Sequence, residues 1–211
     1  FCVQIELAEG CNLRCNFCGI QGIRAKAGGP FKFMSEETLT TVVEGIRSAG
    51  WTPRIEFAMH GEPTMHPDFV NMLRIARVAL PDAYILLTTN GGGLLPNPSE
   101  KLELVFQAAS TVAIDCYKHV AISAKIRENL DRRPVPGVTV HEYPQEKEWS
   151  PHSRRRGKAL IYVQDITEAD AGTHSRLTNH CGSAFPTTSK MWGKRCAKPF
   201  REMSVRWDGG V

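Results

Sequence analysis

Three cysteines fall within eight residues, in the run Cys11-Asn12-Leu13-Arg14-Cys15-Asn16-Phe17-Cys18. Thiolates spaced by three and then two residues on one loop can converge on a single soft metal centre, zinc or an iron–sulfur cluster. Structural zinc takes four ligands, and a cubic iron–sulfur cluster takes four thiolates, one per iron. Cys11, Cys15 and Cys18 have no obvious fourth partner nearby, so they would leave one iron open. An open iron can bind and reduce a substrate. The chain has seven cysteines, an odd number, which makes a poor disulfide framework and suits a reducing compartment.

The elements that must carry this loop follow from hydrophobic period. Residues 2–8 alternate, with Val3, Ile5 and Leu7 opposite Gln4, Glu6 and Ala8, and read as a strand that runs straight into the cysteines. Ser35 with Glu36 and Glu37 opens a helix that Gly50 follows. Further strands are expected at 54–60, 84–89, 111–115, 138–143 and 159–163, with helices from Pro67-Asp68, from Ser99 or Glu100, and over 119–130. The alternation predicts repeated βα units and a parallel sheet. Six strands fit an α/β fold of the partial (β/α)6 TIM-like barrel kind, although period alone also allows a doubly wound open sheet. Both folds place sites at the C-terminal ends of strands. With the apolar side of each strand against helices, Gln4, Glu6, Glu56, His60, Thr88, Asn90, Asp115, Thr139 and His141 would line a polar interior able to hold a polar ligand.

The Cys-x3-Cys-x2-Cys loop, with Phe17 before its last cysteine, resembles the signature of the radical S-adenosylmethionine (radical SAM) enzymes. The resemblance implies a [4Fe–4S] cluster on Cys11, Cys15 and Cys18 whose open iron chelates S-adenosylmethionine. Reductive cleavage would then give methionine and a 5′-deoxyadenosyl radical that abstracts hydrogen from a substrate. Gly61-Glu62-Pro63 stands after the second strand, where the family carries its Gly-Gly-Glu or Gly-Glu-Pro turn. Thr89-Asn90-Gly91 closes the third strand and resembles the family's Thr-Asn-Gly. The resemblance makes Phe17, Gly61, Glu62, Pro63, Asn90 and Asp115 the candidates for positioning S-adenosylmethionine, with Phe17 beside adenine and Asp115 near the ribose hydroxyls. A reductase or flavodoxin-type electron donor is implied as a partner. Glu6, Glu56 and His141 are acid/base candidates if they face inward. His60 and His66 read as pocket or turn residues.

The tail, from Cys196 through Trp207-Asp208-Gly209-Gly210-Val211, resembles the opening of a SPASM or twitch extension, which implies an auxiliary cluster with Cys196 as a ligand. The organisation expected is therefore a barrel over 1–165 and a linker with a truncated extension over 166–211. Enzymes with such extensions often modify peptides, so the substrate expected is a peptide, with a small molecule as the other class. Apolar runs are too short to span a bilayer, no leader opens the chain, and a cytoplasmic enzyme is expected. The net charge of +4 is modest for a nucleic-acid binder, and nucleic acid is not the partner expected. A competing reading has a zinc or closed-cluster module whose basic run Arg154-Arg155-Arg156 contacts nucleic acid.

Overall fold

The computed structural model describes residues 1–13, 31–59, 61–117, 121–150, 157–164 and 202–211. Its frame is a seven-stranded sheet made of β1 (Cys2–Ile5), β4 (Arg54–Phe57), β5 (Tyr84–Thr89), β6 (Thr111–Cys116), β7 (Val138–Tyr143), β8 (Lys158–Gln164) and β9 (Glu202–Val205). Every pairing in it is parallel, in the order β7-β8-β6-β5-β4-β1-β9. Two two-residue strands, β2 (Ala8–Glu9) and β3 (Lys32–Phe33), pair antiparallel outside it. The helices are α1 (Glu36–Ser48), α2 (Phe69–Ala79), α3 (Pro98–Val105) and α4 (Ile122–Arg132). The sheet is open, with β7 and β9 at its edges, as a partial barrel leaves it.

The helices form where the sequence signals them. The Ser35 Oγ accepts the Thr38 N–H at 3.0 Å, and Glu36 and Glu37 sit at the positive end of α1. Leu39, Val43 and Ile46 then share one buried face, as do Phe69, Met72, Leu73 and Ala76 on α2. These residues share one core with Val3, Ile5, Ile55, Phe57, Ile85, Leu87, Val112, Ile114, Leu160 and Tyr162, which lie on one side of the sheet.

The other side follows from register. Gln4 pairs with Glu56, Glu56 with Leu86, Leu86 with Thr111, Thr111 with Ala159, and Ala159 with Thr139. Residues paired across a sheet point the same way, and every second residue joins them. The expected polar face therefore exists, with Glu6, Thr88, Asp115 and His141 on it. It is interleaved with Leu86, Ala113 and Ile161, so it is mixed rather than wholly polar. His60 lies outside the described residues.

Three expectations need correction. The strand expected over 2–8 stops at Ile5, because the chain leaves the parallel sheet and Ala8–Glu9 turns to pair with Lys32–Phe33 at the root of the cysteine loop. The strand expected to reach residue 60 ends at Phe57, and Met59, at φ 91°, turns the chain away. The last two expected strands are exchanged in space: β8 lies between β6 and β7. Composition explains the exchange. The run Ala159–Tyr162 is apolar and buried on both faces, which suits an interior strand, whereas β7 is polar and half-exposed, which suits an edge. Residues 202–205, within the segment expected as an extension, form the strand that continues the main sheet beside β1.

Candidate functional site

Three chain segments meet beyond the C-terminal ends of β1, β4 and β5. The first is the approach to Cys11. The second, Gly61-Glu62-Pro63, packs directly against it: the Glu62 N–H donates to the Gly10 carbonyl at 2.8 Å. A Cβ on Gly61 would lie 1.7 Å from the Ala8 carbonyl oxygen, so only glycine lets the two backbones come this close. Pro63 opens a single 3-10 turn over Pro63–Met65, where its fixed φ and missing N–H cost nothing.

The third segment is the turn after β5. Glu62, 3% exposed, reaches it with its carboxylate. One oxygen accepts the Thr64 N–H at 3.0 Å, the Thr64 hydroxyl at 2.6 Å and the Thr89 hydroxyl. The other accepts the Asn90 N–H at 2.7 Å. Burial pushes this carboxyl above its ordinary range, and the donors around it act in the opposite direction. The Thr64 hydroxyl in turn accepts the Gly93 N–H at 3.1 Å. Glu62 thus turns inward and binds two loops together.

Asn90 faces the cysteine. Its Nδ2 lies 3.5 Å from Cys11 Sγ and donates to Asn12 Oδ1 at 2.8 Å, while its Oδ1 accepts the Gly92 N–H at 2.8 Å. The Leu13 N–H donates to the same sulfur at 3.3 Å. Cys11 is half-buried and has N–H donors pointed at its sulfur. Gly91, at φ +80°, makes the turn that brings Asn90 here. Asp115 is half-buried near the end of β6, one step beyond the Thr89–Ile114 pair, which sets it level with Asn90 on the neighbouring strand.

The structure therefore brings Cys11, Gly61, Glu62, Pro63 and Asn90 together, with Asp115 on the adjoining strand end. Cys15, Phe17, Cys18 and Cys196 lie outside the described residues, as does the basic run at 154–156. Asn12, Thr64 and Thr89 belong to the site although none of them was among the candidate residues. A threonine two residues after the glutamate, and one opening Thr-Asn-Gly, were the available signals.

The remaining candidates are otherwise engaged. Glu56 accepts from Arg54 at 2.9 Å and faces the buried Cys2 thiol at 3.7 Å. His66 is a turn residue: the Asp68 N–H donates to its Nδ1 at 3.1 Å, which leaves Nε2 to donate to the Met34 carbonyl at 3.0 Å. His141 is held through Nδ1 by Glu146 at 2.8 Å and stacks on Trp149. Glu6 accepts the Trp207 N–H at 3.3 Å. Cys2 and Cys116 are buried thiols raised above the usual range, chiefly by burial.

The Radical SAM superfamily matches over residues 5–127, more than half of the chain. The chain belongs to the radical SAM superfamily, and the match identifies it as part of an enzyme. It is 27% identical over 89 residues to a GTP 3′,8-cyclase of Pectobacterium atrosepticum, covering 42% of this chain and 26% of that protein. A GTP 3′,8-cyclase of Aeromonas hydrophila is 29% identical over 92 residues, again covering 42% of this chain and 26% of the relative. The aligned region thus spans about a quarter of these relatives. Among solved structures, BtrN in complex with AdoMet and 2-DOIA superposes with TM-score 0.68 at 17% identity, over 98% of this chain and 69% of that one. An open conformation of BtrN superposes at 0.55 and 14% identity, over 98% and 65%. These likenesses establish the fold. Among the described residues no helix is long and apolar enough to cross a membrane.

Proposed function

We propose that this protein reductively cleaves S-adenosylmethionine at a [4Fe–4S] cluster and uses the resulting radical on a polar substrate. The observation that carries the reading is the convergence of Cys11, the Gly-Glu-Pro turn and Asn90 on one rim at the strand ends. The donor set fits the cluster: Cys11 sits among N–H donors, and Cys15 and Cys18 follow at the family's spacing. When bound, the cluster supplies the electron that splits the sulfonium and yields a 5′-deoxyadenosyl radical able to abstract hydrogen.

The chain's own residues bind and orient. The Gly61-Glu62-Pro63 backbone, fixed against Ala8 and Gly10, would offer its remaining polar groups to the amino end of S-adenosylmethionine. Asn90 and Asp115, level on adjoining strands, serve the carboxylate side and the ribose hydroxyls, and Phe17 serves adenine. The face carrying Gln4, Thr88, Asp115 and His141 suits a polar substrate, a small molecule or a peptide side chain. The curated relatives are named for GTP, and that favours the small molecule. An electron donor of the reductase or flavodoxin type, a cytoplasmic setting and an auxiliary cluster using Cys196 complete the proposal.

Anaerobic reconstitution with iron and sulfide tests it. A brown protein with broad absorbance, whose reduced-cluster EPR signal changes when S-adenosylmethionine is added, is the expected result. A colourless protein that takes up zinc in its place overturns the reading.

A further inference from the structure

We propose that the segment following β9 clamps the root of the cysteine loop, so that the C-terminal part of the protein sets the placement of the cluster ligands. The inference rests on the reading of that loop as the cluster site, and adds a control on it from Arg206, which lies 197 residues from Glu9 in sequence. The cysteine segment follows Glu9 and precedes Lys32 in sequence, and these two residues are direct cross-strand partners. The pairing around it is only four residues, and an isolated two-stranded ribbon of that size is not stable in water. Something else must hold it.

Glu9 shows what does. It is 6% exposed, and its carboxylate is shared between the hairpin and the C-terminal segment. One oxygen accepts from Lys32 Nζ at 2.6 Å. The other accepts from Arg206 Nη2 at 2.8 Å and from Trp207 Nε1 at 3.3 Å. The Lys32 ammonium also lies 5.3 Å from the centroid of the Trp207 ring. Trp207 thus touches both ends, and Arg206 holds the Glu9 end.

The grip is itself braced. β9 is parallel to β1, with Val205 opposite Ile5, and the Glu6 N–H donates to the Val205 carbonyl at 2.9 Å. The Trp207 N–H donates to the Glu6 carboxylate at 3.3 Å. Arg206 donates to the Gly210 carbonyl at 2.8 Å and accepts from the Gly209 N–H at 2.9 Å, closing a turn in which Gly209 has φ +85°. Arg206 and Trp207 are therefore held in place by the sheet and by their own turn before they touch Glu9. Most surface ion pairs contribute little. This one differs because Glu9 is buried, and loss of its donors would leave a desolvated carboxylate at the foot of the loop.

The test compares Arg206→Ala and Trp207→Phe with the parent chain. Trp207→Phe is the milder change, since it removes the indole N–H and keeps an aromatic ring. Amide hydrogen exchange is read at residues 8–9 and 32–34 and, as an internal control, on α2 and β5. The clamp predicts exchange at least tenfold faster in the hairpin of Arg206→Ala, a smaller effect in Trp207→Phe, and unchanged protection on α2 and β5. After reconstitution, chelator-driven loss of iron is expected to be several-fold faster in Arg206→Ala. Unchanged hairpin exchange in both variants overturns the clamp, and so does loss of protection spread evenly over α2 and β5. A parent chain that never holds iron would count against the cluster reading, and hairpin exchange would still decide the clamp.

Discussion

Glu62 accepts the backbone N–H of Asn90 through one carboxylate oxygen at 2.7 Å, while its other oxygen takes both donors of Thr64. A buried acid here is a joint between two turns that lie 28 residues apart. Both turns owe their positions to it.

Replacing Glu62 by Gln keeps the shape and supplies an NH2 group where an acceptor is required. At least one buried N–H or hydroxyl then faces a donor, at a cost of about 1–3 kcal/mol. Urea unfolding of Glu62→Gln should show that loss. Its S-adenosylmethionine affinity should fall roughly tenfold as the two turns shift, which corresponds to about 1.4 kcal/mol. An unaltered midpoint and affinity would mean that the joint is dispensable.

Two glycine substitutions separate close approach from mere flexibility. Gly61→Ala puts a Cβ 1.7 Å from a backbone carbonyl that cannot move aside, and we expect a loss of about 3 kcal/mol or more, or no folded protein. Gly45→Ala, exposed on α1 with nothing within 4 Å, should stabilise by about 0.5–1 kcal/mol. Thermal melts of the two variants should therefore shift in opposite directions.

Asn90→Ala removes the amide nearest the Cys11 sulfur and strips Asn12 and Gly92 of their partner. The expected outcome is a reconstituted protein whose cluster is retained but whose nucleoside yield falls more than tenfold, since the turn beside Cys11 is no longer held. Iron content and product chromatography on one sample distinguish this from simple cluster loss.

Away from the site, the guanidinium of Arg127 holds Glu142 below the usual carboxylate range, with help from Gln164. A lowered carboxylate stabilises the fold above its unfolded pKa and loses that contribution as pH falls through the folded value. Glu142→Gln should therefore be less stable than the parent at pH 7. The two urea midpoints should converge once pH drops below the carboxylate range, roughly 4. A gap that persists in acid would place the effect in packing instead.

Much of this arrangement is legible in the chain. Ser35 announces α1, Tyr84–Thr89 and Val138–Tyr143 match their strands residue for residue, and the cysteine spacing and Gly-Glu-Pro turn point to the rim where they meet. What could not be read is long-range. Nothing local says that β8 inserts between β6 and β7, because a parallel pairing leaves no turn signal, although the apolar Ala159–Tyr162 run marks an interior strand. Nor does Glu9 announce itself. Its partners Arg206 and Trp207 stand at the far end of the chain, and that tail resembled an extension rather than the edge of the main sheet.

The central claim is tested most directly by product. The protein, reconstituted without oxygen and given S-adenosylmethionine and a strong reductant, should release 5′-deoxyadenosine, and Cys15→Ala should release none. A fully loaded cluster that makes no nucleoside, or a Cys15→Ala variant that makes as much as the parent, would contradict it.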